Sequence, residues 1–275
     1  MLKKDKISEG SLNGYALNID NENKKSVDIF GIAPYGEAIK KSVEKGFEAA
    51  QAVMSRICLP AAEELGLLFQ DKVRHWRLNS IIKIIQKTEG KLDYQDEKLT
   101  LSAHPRVVKE IIDNGSWCDN DEIQNMWAGL IASTFNDKEG DDGNLLYVDT
   151  LKRLTVVQAK ILNYICTHCK LSVDKNGFIF AEHIQLNLNE LKEITGIDDV
   201  HRLDTEFDNL ASFDILKGGP LIGHGAGFSF QDNEEELKAD LEPSPFALAL
   251  YVKAQGYKGI PKDYFNLEYK NNTYK

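Results

Sequence analysis

The sequence predicts a mainly α fold, with an N-terminal helical bundle followed by a winged-helix-like α+β domain that carries a small β-hairpin. Apolar residues recur at helical spacing from about residue 34 to residue 211, and short β-type segments flank a glycine-rich stretch near 220–230. The chain has 275 residues, of which 42% are hydrophobic. This is enough for one large or two modest domains. We predict a mobile polar arm at 1–33, the bundle at 34–149 and the winged-helix-like domain with its C-terminal helix and tail at 150–275.

Three helices are expected in the first part of the bundle. One covers about 34–54, and a second starts at Pro60 and runs to about Thr88. The third starts at His104-Pro105, since proline favours the first helical position, and ends at Gly115. The segment 136–144 is rich in glycine and aspartate and is predicted to be a solvated loop.

The segment DEIQNMWAGLIASTF at 121–135 predicts a fourth, buried helix. Its apolar residues lie on one helical face: Ile123, Met126, Trp127, Leu130, Ile131 and Phe135. We expect Asp119 to be the N-cap, with Glu122 in the capping-box position. The small residues Ala128, Gly129 and Ala132 would let another helix approach closely. We interpret Trp127 as a core residue rather than as part of a ligand site.

The second half predicts a helix, a short helix, a third helix and a hairpin, which is the winged-helix order. The first helix starts at Thr155, with Gln158 completing a capping box. Residues 178–180 are a predicted strand, and Gly196 ends the short helix. The hairpin is predicted within 220–230, around a glycine turn. We interpret the acidic run 231–242 as a linker or solvated face, and 243–256 as a final amphipathic helix.

The charge distribution argues against DNA binding through the helix in the recognition position, Asp198–Ala211. The formal net charge of the chain is −10. This helix carries one arginine, Arg202, against Asp198, Asp199, Asp204, Glu206 and Asp208. Phosphate contacts dominate DNA affinity, so such a helix would be repelled. A protein-contact or structural role is the preferred interpretation.

The densest basic region is a candidate interaction stripe, which we call the basic stripe. It consists of Lys72, Arg74, His75, Arg77, Lys83 and Lys87, with Trp76 among them. It could hold RNA, an anionic membrane surface or an acidic partner. Equally, it could pair with the protein's own carboxylates, with an arginine stacked on the indole.

No pattern in the sequence indicates catalysis, a cofactor or a metal. Cys166 and Cys169 form a single CxxC, whereas a structural zinc site needs four ligands. We predict two reduced cysteines there, although the sequence leaves metal binding open. The late glycines match no phosphate-binding loop. We therefore favour a non-enzymatic protein, with a hydrolase or nuclease built from carboxylates as an alternative.

The compartment expected from the sequence is the cytoplasm. The chain contains four cysteines, too few for a disulfide framework, which favours a reducing environment. The N-terminal MLKKDKISEG has no apolar segment behind its lysines, so we expect no secretory signal. No apolar run reaches the ~18 residues that a membrane-spanning helix needs.

Five motifs in order carry a resemblance to a known family. They are PAAEELG at 60–66, RHWRLN at 74–79, HPRVVKEIIDNGSW at 104–117, EIQNMWAGLIAS at 122–133 and LKRLTVVQAKIL at 151–162. Together with FDNLASFDIL at 207–216, they resemble the abortive-infection alpha family of bacterial phage-defence proteins, over roughly residues 58–250. The family-like positions are Arg74, Trp76, Arg77, Asn79, His104, Pro105, Trp127 and Ala128. The final helix departs from the family's ending, because PSP stands where a Thr-Pro-hydrophobic-Gly turn is expected.

The resemblance implies a bacterial, intracellular protein that acts in abortive infection, in which an infected cell stops growing or dies before phage are released. It supplies no catalytic residue. We expect a sensor or growth-arresting effector that acts through contacts with a phage or host protein or through self-association. The alternative is a nucleic-acid-binding regulator that uses the basic stripe.

Overall fold

The computed structural model describes residues 36–57, 75–92, 103–134, 141–217, 228–229 and 238–268. This part of the chain is mainly helical, with a few short antiparallel strands. The predicted polar arm at 1–33, the helix start at Pro60 and the glycine turn near 220–227 lie outside the described residues.

The described part of the first half contains five helices. They are α1 (Gly36–Ile57), α2 (His75–Glu89), α3 (Pro105–Gly115), α4 (Asp121–Ser133) and α5 (Leu145–Leu151). The predicted helices are confirmed where the structure describes them, the second one only from residue 75, and Pro105 is the first residue of α3, as expected. The short helix α5 was not predicted, because it is only two turns long and follows the predicted loop directly.

The second half contains the remaining helices and all of the described strands. In chain order they are α6 (Val156–His168), β1 (Leu171–Val173), β2 (Ile179–Ala181), β3 (Ile184–Asn187), α7 (Leu188–Thr195), α8 (Val200–Ser212), β4 (Phe228–Ser229), β5 (Lys238–Leu241), α9 (Pro245–Ala254) and α10 (Pro261–Tyr264). The predicted capping box of α6 is present, with Thr155 and Gln158 each accepting a backbone N–H of the other residue. Gly196 ends α7 in the left-handed conformation, with φ 78°.

Helix α4 is the centre of the core. It packs against α2, α3, α6 and α9, and Trp127 is only 2% exposed. The Trp127 indole lies against Gly115 at the end of α3, where an added Cβ would be 3.3 Å from the indole Cγ. The predicted burial of this helix is therefore confirmed.

The start of α4 corrects one prediction. The N-cap is Asn120, whose side chain accepts from the N–H groups of Glu122 and Ile123, and not Asp119. Both residue types cap helices well, so the sequence alone could not separate the two neighbouring positions.

Helix α9 crosses α4 with its backbone in direct contact. An added Cβ at Gly129 would lie 1.7 Å from the carbonyl oxygen of Ala254. The close approach expected from the small residues of α4 is therefore present. However, α9 is not the amphipathic helix that was predicted, because it is covered by α4, α6 and α10. Its buried residues surround the axis: Ala247, Leu248, Leu250, Tyr251, Val252 and Ala254.

The strands form two small antiparallel sheets. β1 pairs with β2, with Ser172 opposite Phe180. In the second sheet the order is β3–β5–β4, with Leu186 and Phe228 both opposite Ala239. Residues 238–241 are thus the central strand of this sheet, which corrects their interpretation as linker. The charged residues at 238 and 240 alternate with buried Ala239 and Leu241, so the strand period was hidden within an acidic run.

None of the helices in the described segments is both long enough and apolar enough to cross a membrane.

Substitution of Gly129 tests the contact between α4 and α9. Alanine favours a helix over glycine by about 1 kcal/mol. Even so, we expect Gly129→Ala to lower the free energy of unfolding by about 3 kcal/mol, because the two helices must separate. Denaturant unfolding measures this change.

The matched control is Gly46→Ala in α1. An added Cβ there meets only the side chain of Ile82, at 3.2 Å, which can move. Its free energy of unfolding should stay within about 1 kcal/mol of the wild type. An equally small change for both variants would contradict the proposed packing of α4 on α9.

Candidate functional site

The structure describes the side chains of three members of the basic stripe: Arg77, Lys83 and Lys87. Lys72 and Arg74 lie outside the described residues. His75 begins α2, but its side chain and that of Trp76 are not among those described. The described members lie along α2, beside the corner that joins α3 to α4.

Arg77 is held in one position by two residues of this corner. Its Nε and one Nη donate hydrogen bonds to the Ser116 hydroxyl oxygen at 3.2 and 3.0 Å. That hydroxyl donates in turn to the carbonyl of Asp113 at 3.0 Å. The guanidinium carbon of Arg77 also lies 4.3 Å from the ring centroid of Trp117. The expected stacking of an arginine on an indole is present between Arg77 and Trp117. Trp117 was not among the residues named for the basic stripe.

Trp117 is 59% exposed, which is unusual for an indole. Together with Arg77 it forms an aromatic platform with a fixed cation, which we call the Arg77–Trp117 platform. Stacking of this kind contributes about 0.5–1 kcal/mol at an exposed site. A side chain held in this way loses little conformational entropy when a partner binds it.

The two lysines of the stripe lie next to the first turn of α4. Lys87 Nζ is 2.8 Å from the Asp121 carboxylate. The hydrogen bond and positive charge of Lys87, with a smaller contribution from Lys83, lower the pKa of Asp121 below its usual value. Lys83 itself is exposed. Two of the three described cations therefore already contact protein groups, and the surface is less basic than its sequence indicates.

Most of the family-like positions with described side chains lie in or beside the core. Trp127 and Ala128 are buried in α4. His104 and Pro105 form the start of α3, and Asn79 is half-buried on α2. Arg77 is the position among them that reaches an exposed partner, namely Trp117.

The acidic helix α8 differs from the sequence interpretation at one residue. Glu206 does not face solvent, since its side chain is 4% exposed. It accepts from Arg202 Nε at 2.8 Å and from the Thr155 hydroxyl at 3.0 Å. The Gln158 amide donates to Asn209 at 2.9 Å nearby. These bonds join α8 to the start of α6, so Glu206 is part of the packing between the two helices and not of an outer acidic face.

The CxxC lies where α6 ends. Burial raises the pKa of the Cys166 thiol well above its ordinary value and raises the pKa of Cys169 to about 11. Both thiols are therefore protonated at neutral pH, whereas metal ligation and redox chemistry use the thiolate. Within the described segments, no three His, Cys, Asp or Glu side chains form a group that could hold a metal ion.

A polar cleft between α4, α6 and α9 was not found from the sequence. Its volume is about 540 Å³. Its walls are formed by Glu122, Asn125, Lys160, Asn163, Tyr164, Thr167, Ile194, Tyr251 and Gln255. We call it the α4–α6–α9 cleft.

A sequence signal for this cleft does exist. Residues 160, 163, 164 and 167 of α6 recur at the spacing of one helical face, and all four are polar. Residues 122 and 125 of α4, and 251 and 255 of α9, repeat the same spacing. The helices were predicted from their apolar faces, so the polar faces that meet here were missed.

Comparison with known families gives one match. The model of the family described as abortive infection alpha matches residues 77–246. This is more than half of the chain. The protein belongs to the abortive-infection alpha family.

The match confirms the resemblance stated from the sequence. It includes the Arg77–Trp117 platform, α4 and most of the cleft, whereas the motif at 60–66 lies outside it. No curated protein and no solved structure matches the chain.

The two tryptophans test the distinction between core and surface. We expect Trp127→Ala to lower the free energy of unfolding by about 3–5 kcal/mol, because it leaves a cavity in the core. Trp117→Ala should lower it by about 1 kcal/mol or less, because this indole is 59% exposed and its removal leaves no buried cavity. Similar losses in the two variants, measured by denaturant unfolding, would contradict this assignment.

Proposed function

We propose that this abortive-infection alpha protein is a bacterial sensor or growth-arresting effector that acts by binding a phage or host protein. Family membership supports the process. The observation that supports a contact-based role is the Arg77–Trp117 platform, an indole 59% exposed yet held in place by a stacked guanidinium. Tryptophan and arginine are among the residue types that dominate binding energy at protein interfaces.

The proposed contact surface is the platform together with the neighbouring part of the basic stripe. Trp117 would provide the apolar anchor, and Arg77 and exposed Lys83 would favour a partner with acidic groups at the rim. Charged groups of this kind raise the association rate and select the partner more than they increase affinity. Binding to a second copy of the chain would use the same surface, because the chain has a formal net charge of −10 and a cationic surface would attract it.

We further propose that the chain from 150 onward forms a winged-helix-like unit with a structural or protein-contact role, next to a bundle at 34–149. After α6 and the β1–β2 pair, the order is β3, α7, α8, β4, β5, with the three strands arranged β3–β5–β4. This order supports the winged-helix assignment. The charges of α8 weigh against DNA as its ligand, because Asp204 and Asp208 are exposed on it.

Phage challenge of bacteria that express the protein tests this function. At a low phage-to-cell ratio the culture should survive, and at a high ratio it should collapse without releasing phage. Trp117→Ala and Lys83→Glu should each remove this protection while the protein remains folded, because they alter the proposed contact surface and not the core.

The matched controls alter an exposed aromatic residue and an exposed lysine elsewhere. Phe178 is 67% exposed at the turn before β2, and Lys175 lies in the same turn. Phe178→Ala and Lys175→Glu should leave protection unchanged.

Full protection by the Trp117→Ala variant would overturn the proposed surface. Growth and plaque counts equal to an empty-vector control across a broad phage panel would contradict the proposed role. A salt-sensitive gel shift with RNA that Lys83→Glu abolishes would replace the protein partner with nucleic acid.

A further inference from the structure

We propose that the α4–α6–α9 cleft binds a small zwitterion, an amino acid or short peptide, with its ammonium group beside Glu122 and its carboxylate beside Lys160. The cleft is separate from the Arg77–Trp117 platform, and the inference does not depend on the proposed partner.

The cleft contains two opposite charges that do not neutralise each other. Glu122 accepts a hydrogen bond from Asn163 Nδ2 at 2.6 Å, which is a neutral donor. Lys160 Nζ makes one long contact, 3.5 Å to the carbonyl of Thr195. Across the described segments, neither residue has an oppositely charged side chain within 4 Å. A bound zwitterion would provide the missing partner for both.

The spacing of the two charges suits one small molecule. Lys160 and Asn163 are three residues apart on one face of α6, which is about 5 Å along the helix axis. Glu122 contacts the Asn163 amide, so its carboxylate lies about one turn from the start of the Lys160 side chain. Both side chains line the same cleft, so one small molecule lying along α6 can approach both.

The Asn163 amide points to the same class of ligand. Its oxygen is buried, and no residue that the structure describes donates a hydrogen bond to it. Its nitrogen already donates to Glu122, so the orientation of the amide is set by that bond. A buried acceptor without a donor is costly and rare in native proteins. An ammonium group has three donors. If it displaced the Asn163 amide nitrogen from Glu122, the amide would be free to rotate, and the ammonium could donate both to the Glu122 carboxylate and to the amide oxygen.

The remaining walls suit the rest of such a molecule. Burial raises the pKa of Tyr251, with a smaller contribution from Tyr264, so its phenol stays neutral and adds no negative charge. The amides of Asn125 and Gln255 can pair with a peptide group. The volume of about 540 Å³ lies within the usual range of ligand sites, about 300–1,000 Å³.

The probe is a panel of the common L-amino acids and their glycyl dipeptides, added to the full chain. Saturation-transfer NMR identifies binders, and calorimetry measures their affinity. We expect at least one member to bind with a Kd of about 1 mM or tighter. N-acetylation or C-amidation of that member should each weaken binding by about tenfold or more, because each removes one charge.

Two variants assign the charges to the two ends of the ligand. Glu122→Gln should weaken binding of the zwitterion about tenfold but leave the affinity for its N-acetylated form unchanged. Lys160→Met should also weaken binding of the zwitterion about tenfold, but leave the affinity for its C-amidated form unchanged. The controls Glu48→Gln and Lys175→Met alter exposed charges outside the cleft and should not change the Kd. Melting curves establish that each variant is folded.

The proposal is overturned if no member of the panel binds the folded protein at about 10 mM, well above the expected Kd. It is also overturned if Glu122→Gln and Lys160→Met leave the affinity unchanged. Binding of nucleoside monophosphates in place of the panel would show that the ligand belongs to another class.

Discussion

The contact between the backbones of α4 and α9 is the constraint on which the rest of the structure depends. At Gly129 there is no room for a Cβ, because the carbonyl oxygen of Ala254 occupies that space. This contact brings α9, which lies late in the chain, into the centre of a core that starts at Ala50 in α1. It also sets the distance between the polar faces of α4 and α9, and so the width of the cleft that they form with α6. Trp127 fills the other side of α4, where the small residue Gly115 makes room for it.

Most of the longer helices and the capping box of α6 could be predicted from local patterns, whereas contacts between distant residues could not. The capping box at Thr155 and Gln158 depends only on residues three apart, and it is present as predicted. Strand β5 was missed because its pairing with β3 and β4 is not local, and its two charged residues resemble the acidic run around it. For Glu206, sequence shows a carboxylate on an acidic helix. Only the fold shows that it accepts hydrogen bonds from Arg202 and Thr155 and packs against α6.

For the candidate sites, too, local features could be predicted from the sequence, whereas contacts between distant residues could not. The sequence marked the region around Arg77 as a candidate interaction stripe, but it could not show that Ser116, Trp117 and Asp121 contact its cations. Glu122 and Lys160, for which the described residues supply no oppositely charged partner, lie elsewhere, in the α4–α6–α9 cleft. Both lie within motifs quoted for the family, Glu122 in EIQNMWAGLIAS and Lys160 in LKRLTVVQAKIL. Their helices were interpreted by their apolar faces alone, so the two charges were not recognised as members of one cleft. The region that is basic in sequence is therefore mainly an aromatic platform in the structure. Polar residues that lie far apart in the sequence line a cleft with one carboxylate and one ammonium group.

Hydrogen exchange of the backbone amides in α4 and α9 tests whether the contact between these two helices holds the core together. If the Gly129–Ala254 contact holds the core together, the slowest amides of both helices should exchange only through global unfolding, with the same free energy as denaturant unfolding gives. Exchange of the α9 amides at a clearly lower free energy than that of the α4 amides would contradict the claim that this contact holds the core together. It would mean that α9 opens independently and that the core does not depend on its contact with α4.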